Sequence, residues 1–142
     1  MFLGDTGRMQ NGIAEVLTGR RVAAVSGGGR LDLTLDGPVT VRVAHEFRVD
    51  APSEVEHYYP GLTFRPTGPL LGLVGRAVAG ARVTMAGGLE VAFDGGVTLS
   101  VPPHAVVAPW SVLTPGGAVC DGLAGGEVVW SDGPATEGRT EG

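Results

Sequence analysis

The feature that most constrains what this chain can fold into is an internal duplication. The run Leu31-Asp32-Leu33-Thr34-Leu35-Asp36-Gly37-Pro38-Val39-Thr40-Val41-Arg42-Val43 recurs as Leu89-Glu90-Val91-Ala92-Phe93-Asp94-Gly95-Gly96-Val97-Thr98-Leu99-Ser100-Val101. Each copy follows a similar lead-in, Gly19-Arg20-Arg21-Val22-Ala23 and Gly75-Arg76-Ala77-Val78-Ala79. Apolar residues alternate with polar or small ones through both copies, the period of a half-buried strand. Each copy reads as three antiparallel strands, a lead-in and then a hairpin.

The lead-ins are offset by 56 positions (Gly19 to Gly75) and the hairpins by 58 (Leu31 to Leu89). The two extra residues are placed in the Gly-rich connection ahead of Leu31, where a loop absorbs them without disturbing the strands. Pairing Leu35 with Val39, Leu33 with Val41 and Leu31 with Val43 sets apolar opposite apolar and leaves three residues in the turn. Such turns end in a left-handed residue, normally Gly. Asp94-Gly95-Gly96 suits that requirement, whereas Pro38 fixes φ near about −65°. The first hairpin is therefore expected to turn differently from the second or to pair later, with unequal φ at residues 38 and 96.

At 142 residues the chain has the size of one domain with a modest core. All ten basic residues are Arg, and with 25 Gly this has the look of a GC-rich genome. The net charge of −5 without a basic cluster argues against nucleic acid and against an anionic membrane surface as partner. No window approaches the ~18 apolar residues of a spanning helix, and Met1 to Asp5 lacks the basic start and apolar run of a secretory signal. The single cysteine, Cys120, excludes an internal disulfide and fits a reducing, cytoplasmic setting.

Val39 to Val49 is the longest alternating run, with Val39, Val41, Val43, His45, Phe47 and Val49 on one face and Arg42, Glu46 and Arg48 on the other. Asp50 to Thr67 breaks the pattern with three prolines and reads as a long connection. Pro69 to Val74 has the proline start, apolar cluster and Gly75 stop of a short helix. Two C-terminal strands follow, Trp110 to Leu113 and Glu127 to Trp130, with Val119-Cys120 as a bridge. Residues 1–12 read as loosely ordered and 131–142 as a disordered tail. The fold class is all-β: two repeated three-stranded antiparallel units plus two C-terminal strands, forming a sandwich or partly open barrel over residues 13–130.

Gly75, Val78 and Ala81, then Gly88, Leu89, Val91, Phe93, Gly96, Leu99, Val101 and Pro103, then Trp110, Cys120 and Gly125-Gly126-Glu127-Val128-Val129-Trp130 carry a resemblance. The chain resembles a small, mostly actinobacterial all-β family, domain of unknown function 6188, over about residues 19–130. The resemblance implies a fold and brings no established activity. Two departures stand out: the family's Tyr-Glu-Ala-Trp element is Val107-Ala108-Pro109-Trp110 here, and its acidic residue after the first hairpin is Ala44.

Catalytic chemistry finds little footing. His45, His57, His104 and Cys120 stand at no metal-ligand spacing, and the Gly run Gly27 to Gly29 joins strands without the Lys of a phosphate loop. His45–Glu46 or His57–Glu54 is the only acid/base pairing, a minor hydrolase reading without an activated nucleophile. Cys120 reads as a small buried hydrophobe, Trp110 and Trp130 as core anchors. Arg20, Arg21 and Arg76 could grip a carboxylate, with strand-edge charge the simpler reading. The best surface candidate is Glu54, Glu56, His57, Tyr58 and Tyr59, since exposed Tyr beside acidic groups is typical of protein contacts; its alternative is a loop folding its tyrosines back onto the sheet. The leading expectation is a non-enzymatic cytoplasmic module binding a protein partner, an immunity-like neutraliser or an accessory subunit, with no cofactor and no catalytic or metal residues. The rival is a small-ligand barrel with a pocket between the halves at His45, Trp110 and Trp130. A buried cavity near His45 would favour the rival; a packed core with an exposed Tyr-bearing segment would favour the partner.

Overall fold

The computed structural model describes residues 12–131. Expectations for 1–11 and 132–142 lie outside the described residues. Residues 12–17 are helical (α1). The first copy then supplies β1 (Val22–Ser26), β2 (Leu31–Leu35) and β3 (Val39–Val43), followed by β4 (Phe47–Ala51) and β5 (Glu54–Tyr58). A 3-10 turn at Pro60–Leu62 and a short helix α2 (Gly68–Leu71) lead into β6 (Val78–Val83), β7 (Leu89–Phe93) and β8 (Val97–Val101). The chain closes with β9 (Trp110–Thr114), β10 (Gly117–Gly122), a turn at Ala124–Gly126, and β11 (Val128–Trp130).

Two open antiparallel sheets result. Sheet one runs β1-β2-β3-β9-β10-β11 and sheet two runs β5-β4-β8-β7-β6. The all-β sandwich is as the alternation requires: β2, β3, β7 and β8 each bury every second residue. Leu31, Leu33, Val41, Leu89, Val91 and Leu99 are fully buried between the sheets. Each such side chain contributes about 1.5–3 kcal/mol of transfer free energy.

The order of strands shows an exchange. The strand after the first copy, β4, leaves its own meander and pairs with β8 of the second, Val49 opposite Leu99. The strand after the second copy, β9, pairs with β3 of the first, Val112 opposite Val41. Val41 and Leu99 are the same repeat position, so the two pairings are equivalent. Each half completes the other's sheet, and the chain is built as an exchanged pseudo-dimer.

The lead-ins close the pseudo-symmetry. Gly19 N–H donates to Val78 O and Gly75 N–H to Val22 O, both at 2.8 Å; Val22 N–H donates to Arg76 O at 2.9 Å and Val78 N–H to Arg20 O at 2.8 Å. Each bond of a pair maps onto the other by the offset of 56. Arg20 and Arg76 are equivalent clasps. Arg20 donates from Nε to Val16 O (2.6 Å) and from Nη1 to Asp36 O (2.8 Å), joining α1 to the first hairpin turn. Arg76 does the same from Gly72 O (3.2 Å) to Asp94 O (2.8 Å), joining α2 to the second. Neither arginine grips a carboxylate; both grip backbone carbonyls. A Cβ at Gly37 or Gly95 would collide with the clasping guanidinium, and both glycines have positive φ (130° and 88°). These two positions therefore require Gly twice over.

Several details differ from the sequence reading. Both hairpins pair from the same position, Leu35 with Val39 and Phe93 with Val97. Their turns do differ: the first has positive φ at Gly37 ahead of a cis Gly37–Pro38 bond, the second at Gly95 and Gly96. The two extra residues lie in the second copy, in the turn Thr84 to Gly88, not ahead of Leu31, because a larger second offset means a longer second connection. The run Val39 to Val49 is not one strand. It breaks at residues 44–46, where the chain crosses to sheet two, and alternation cannot reveal a sheet change that preserves its phase. The Pro-rich connection contains β5, whose partner is strand β4 and whose outer edge has no neighbour among the described residues. Three C-terminal strands form rather than two, since Val119-Cys120 belongs to a full β10. No helix among the described residues is long and apolar enough to cross a membrane.

Candidate functional site

β5 does not present its five candidate residues on one surface. Facing β4 in the register Phe47–Tyr58, Arg48–His57, Val49–Glu56 and Ala51–Glu54, it turns Tyr58, Glu56 and Glu54 to the inner side and His57 to the outer. Tyr58 is buried, stacked on Phe47 (centroids 5.0 Å) and edge-on to Phe64 (5.1 Å). Its hydroxyl donates to Glu56 Oε1 (3.0 Å) and lies 3.2 Å from Thr67 O. Burial raises the phenol pKa above its ordinary value, with the Glu56 carboxylate adding to the shift and Thr67 opposing it. Tyr58 thus folds back onto the sheet and is a structural residue. Tyr59 stays half exposed, with Val55 and Leu62 exposed on either side of it in sequence. Leu70 N–H donates to Glu56 Oε1 (3.4 Å), seating α2 against β5.

The residues offered for an internal pocket do other work. Trp110 is buried, its Nε1 donating to Gly87 O (3.1 Å), and its indole occupies the space a side chain at Gly122 would need. Trp130 packs on the core and against Gly12. His45 lies half-buried in the first crossover, ring to ring with His104 of the second (centroids 4.2 Å). His104 Nδ1 accepts from Val106 N–H (3.0 Å) and Val107 N–H (3.2 Å), while His45 Nδ1 is buried without a hydrogen-bond partner. Among the described residues no three of His, Cys, Asp and Glu converge as a metal would need. Cys120 is buried, and desolvation together with Asp121 pushes its thiol up from 9.0 to about 12.

A concavity of about 410 Å³ lies elsewhere, on the outer face of sheet two. Its floor follows from strand register. One rung across the sheet reads His57–Arg48–Ser100–Glu90–Arg82. Continued by one more step on that face, the next holds Tyr59, Glu46, Pro102, Gly88 and Thr84. Small residues at Ser100, Pro102 and Gly88 leave the middle low, and Glu46, Arg48 and Tyr59 wall one side. Arg48 Nε lies 2.9 Å from Asp50 Oδ1 and Arg82 Nε donates to Glu90 Oε1 at 2.7 Å. Glu46 makes no ion pair among the described residues.

With the strand plan in view, the family is decided by a match of the family model over residues 13–131, which takes in α1, both copies and all three C-terminal strands. The chain belongs to the family of unknown function DUF6188. The DUF6188 match extends through the first copy and is not confined to the second half. No curated protein and no solved structure matches the chain. Ala44 and the segment before Trp110 adjoin in space, Ala44 N–H donating to Pro109 O at 2.9 Å. Sequence reasoning pointed to His57 and Tyr59, named Glu46 only as an acid/base partner of His45 and Arg48 only as part of an exposed charged face, and missed Ser100 and Glu90. The signal that could have found them was the offset of 58, which sets Gly88 and Ser100 where the first copy has Arg30 and Arg42.

Proposed function

We propose that this DUF6188 chain is a non-enzymatic protein-interaction module of a reducing, cytoplasmic compartment, receiving an extended segment of a partner protein along the edge of β5. One observation carries the reading. In sheet one the edge of β10 is covered by β11, whereas the equivalent edge strand of sheet two, β5, has no outer neighbour among the described residues. An uncovered edge offers a row of backbone donors and acceptors, and strand addition is a recurrent way of using it. Exposed Val55, Tyr59 and Leu62 supply apolar contact beside it. Exposed Glu54 on β5, in a chain of net charge −5, favours a segment that carries basic residues. The lone, buried Cys120 supports the compartment.

The test is selection of displayed peptides on the immobilised protein, followed by amide hydrogen exchange on the complexes. Bound peptides should slow exchange in β5, and Tyr59→Ala should weaken them while leaving thermal unfolding within about 0.5 kcal/mol of the parent. Tyr58→Ala serves as the structural control and should destabilise by about 3–5 kcal/mol. Peptides that protect only other strands, or that bind the Tyr59→Ala variant unchanged, would refute the edge.

A further inference from the structure

The two outer faces can be read against each other position by position. In sheet one, Asp32 is held from two sides: Arg42 reaches it with Nε–Oδ1 at 2.8 Å and Nη2–Oδ2 at 3.3 Å, and Arg30 Nε lies 3.5 Å from Oδ2. The equivalents 58 positions on are Glu90 for Asp32, Ser100 for Arg42 and Gly88 for Arg30. The carboxylate is retained but is reached from another side by Arg82 (Nε–Oε1 2.7 Å), where the first copy has Ser26, and the two arginines that hold Asp32 have given way to small residues. The space they vacate is the 410 Å³ concavity. A second carboxylate, Glu46, lines the same concavity, and in sheet one that wall position has no acidic counterpart, since the crossover ends in Ala108-Pro109.

From this vacancy we infer a binding site for a guanidinium group, taking the arginine side chain of a peptide or protein ligand. The guanidinium would settle over Ser100 and Gly88, between the carboxylates of Glu46 and Glu90, in the place that Arg42 and Arg30 fill on the other face. Three features fit the chemistry. A planar donor fork matches carboxylate geometry in two directions, as Arg42 on Asp32 shows within this same molecule. Tyr59, a half-exposed aromatic residue, lines the same concavity, and a tyrosine ring is a suitable neighbour for a cation. The carboxylates of the lining, Glu46 and Glu90, face Arg48 and the imidazole of His57; Arg48 is drawn to Asp50, Arg82 reaches Glu90 from outside the lining, and Glu46 has no ion pair among the described residues, so the surface keeps an excess of carboxylate. An anion would meet this surplus of negative charge and is disfavoured.

The inference goes beyond strand addition at β5, and its test uses a ligand too short to add a strand. N-acetyl-arginine amide is titrated into the full chain and followed by amide chemical shifts, with N-acetyl-citrulline amide as the uncharged isostere. Saturable shifts are expected at Gly88, Glu90, Ser100 and Glu46, and none with the citrulline compound. Ser100→Arg restores the residue type of the first copy and should abolish the shifts; Glu46→Gln should weaken binding about tenfold. Because Arg42 occupies the equivalent position without harm, Ser100→Arg is expected to keep the parent spectrum outside sheet two. Absence of saturable shifts, equal shifts with citrulline, or retained binding in a folded Ser100→Arg protein would each overturn the site. Loss of arginine binding with peptide-protected β5 amides would remove the site and leave the edge reading standing; the converse would remove the edge alone.

Discussion

Sheet one and sheet two are built from the same repeat, yet one has a finished surface and the other an unfinished one. On sheet one, Asp32 is occupied by Arg42 and Arg30, and β11 lies along β10. On sheet two, Ser100 and Gly88 leave a hollow beside Glu90, and β5 ends the sheet. Inside, the halves have hardly diverged: the buried positions, the lead-in pairing and the arginine clasps all recur. The difference teaches where to look for function in a duplicated scaffold. Shared features hold the fold, and features present in one copy alone are free to be used.

The largest expected effect tests the shared interior. Leu31→Ala and Leu89→Ala empty equivalent, fully buried positions and should each cost about 2–5 kcal/mol by urea denaturation. Costs differing by more than the spread of such cavities would show that the two cores are not equivalent. Next come the clasps. Arg20→Ala and Arg76→Ala each remove hydrogen bonds from a charged donor to two carbonyls, and a loss of about 1–3 kcal/mol is expected for either. Arg20 should be the more costly, because its shorter bond to Val16 O is partly shielded from water.

How much of this was open to the sequence depends on the range of the interaction. Hairpin pairing is local, so Leu35–Val39 and Phe93–Val97 followed from alternation alone. The exchange of β4 and β9 is a choice between two partners with equally apolar inner faces, and no pattern within Phe47–Ala51 distinguishes them. His45 continued the phase of β3 and was expected to point inward, yet it sits in the crossover where the alternation no longer refers to one sheet. Tyr58 and Tyr59 are adjacent and opposite in fate because strand period two sends one to the core and one to water. The hollow on sheet two was written in the sequence as missing arginines, a signal visible only by comparing the copies.

Alkaline pH probes an asymmetry in sheet one. Cys120 has a folded pKa of about 12 against an ordinary 9.0. The folded state holds this proton more tightly than the unfolded state, so stability should fall as pH rises from about 9 toward 12. Cys120→Ala should flatten that dependence, as read from denaturation midpoints across the range. An unchanged slope would assign the alkaline loss to other groups, Tyr58 first among them. The smallest stability effect belongs to the surface itself. Arg30→Gly with Arg42→Ser makes sheet one resemble sheet two and should cost under about 1 kcal/mol. In that variant the arginine amide should perturb Asp32 as well as Glu90, and a silent Asp32 would mean that the vacancy alone does not make a site.

The exchange of strands between the halves is tested most directly by dividing the chain in the connection after β5, between residues 61 and 66. Residues 1–63 and 64–142 are prepared separately, mixed, and examined by size, amide spectrum and denaturation. Because β4–β5 lean on β8 and β9–β10 on β3, neither fragment should fold as a monomer, and the mixture should give a one-to-one complex with the parent spectrum. A fragment that folds alone as a monomer, its third and fourth strands paired within its own half, would contradict the exchange.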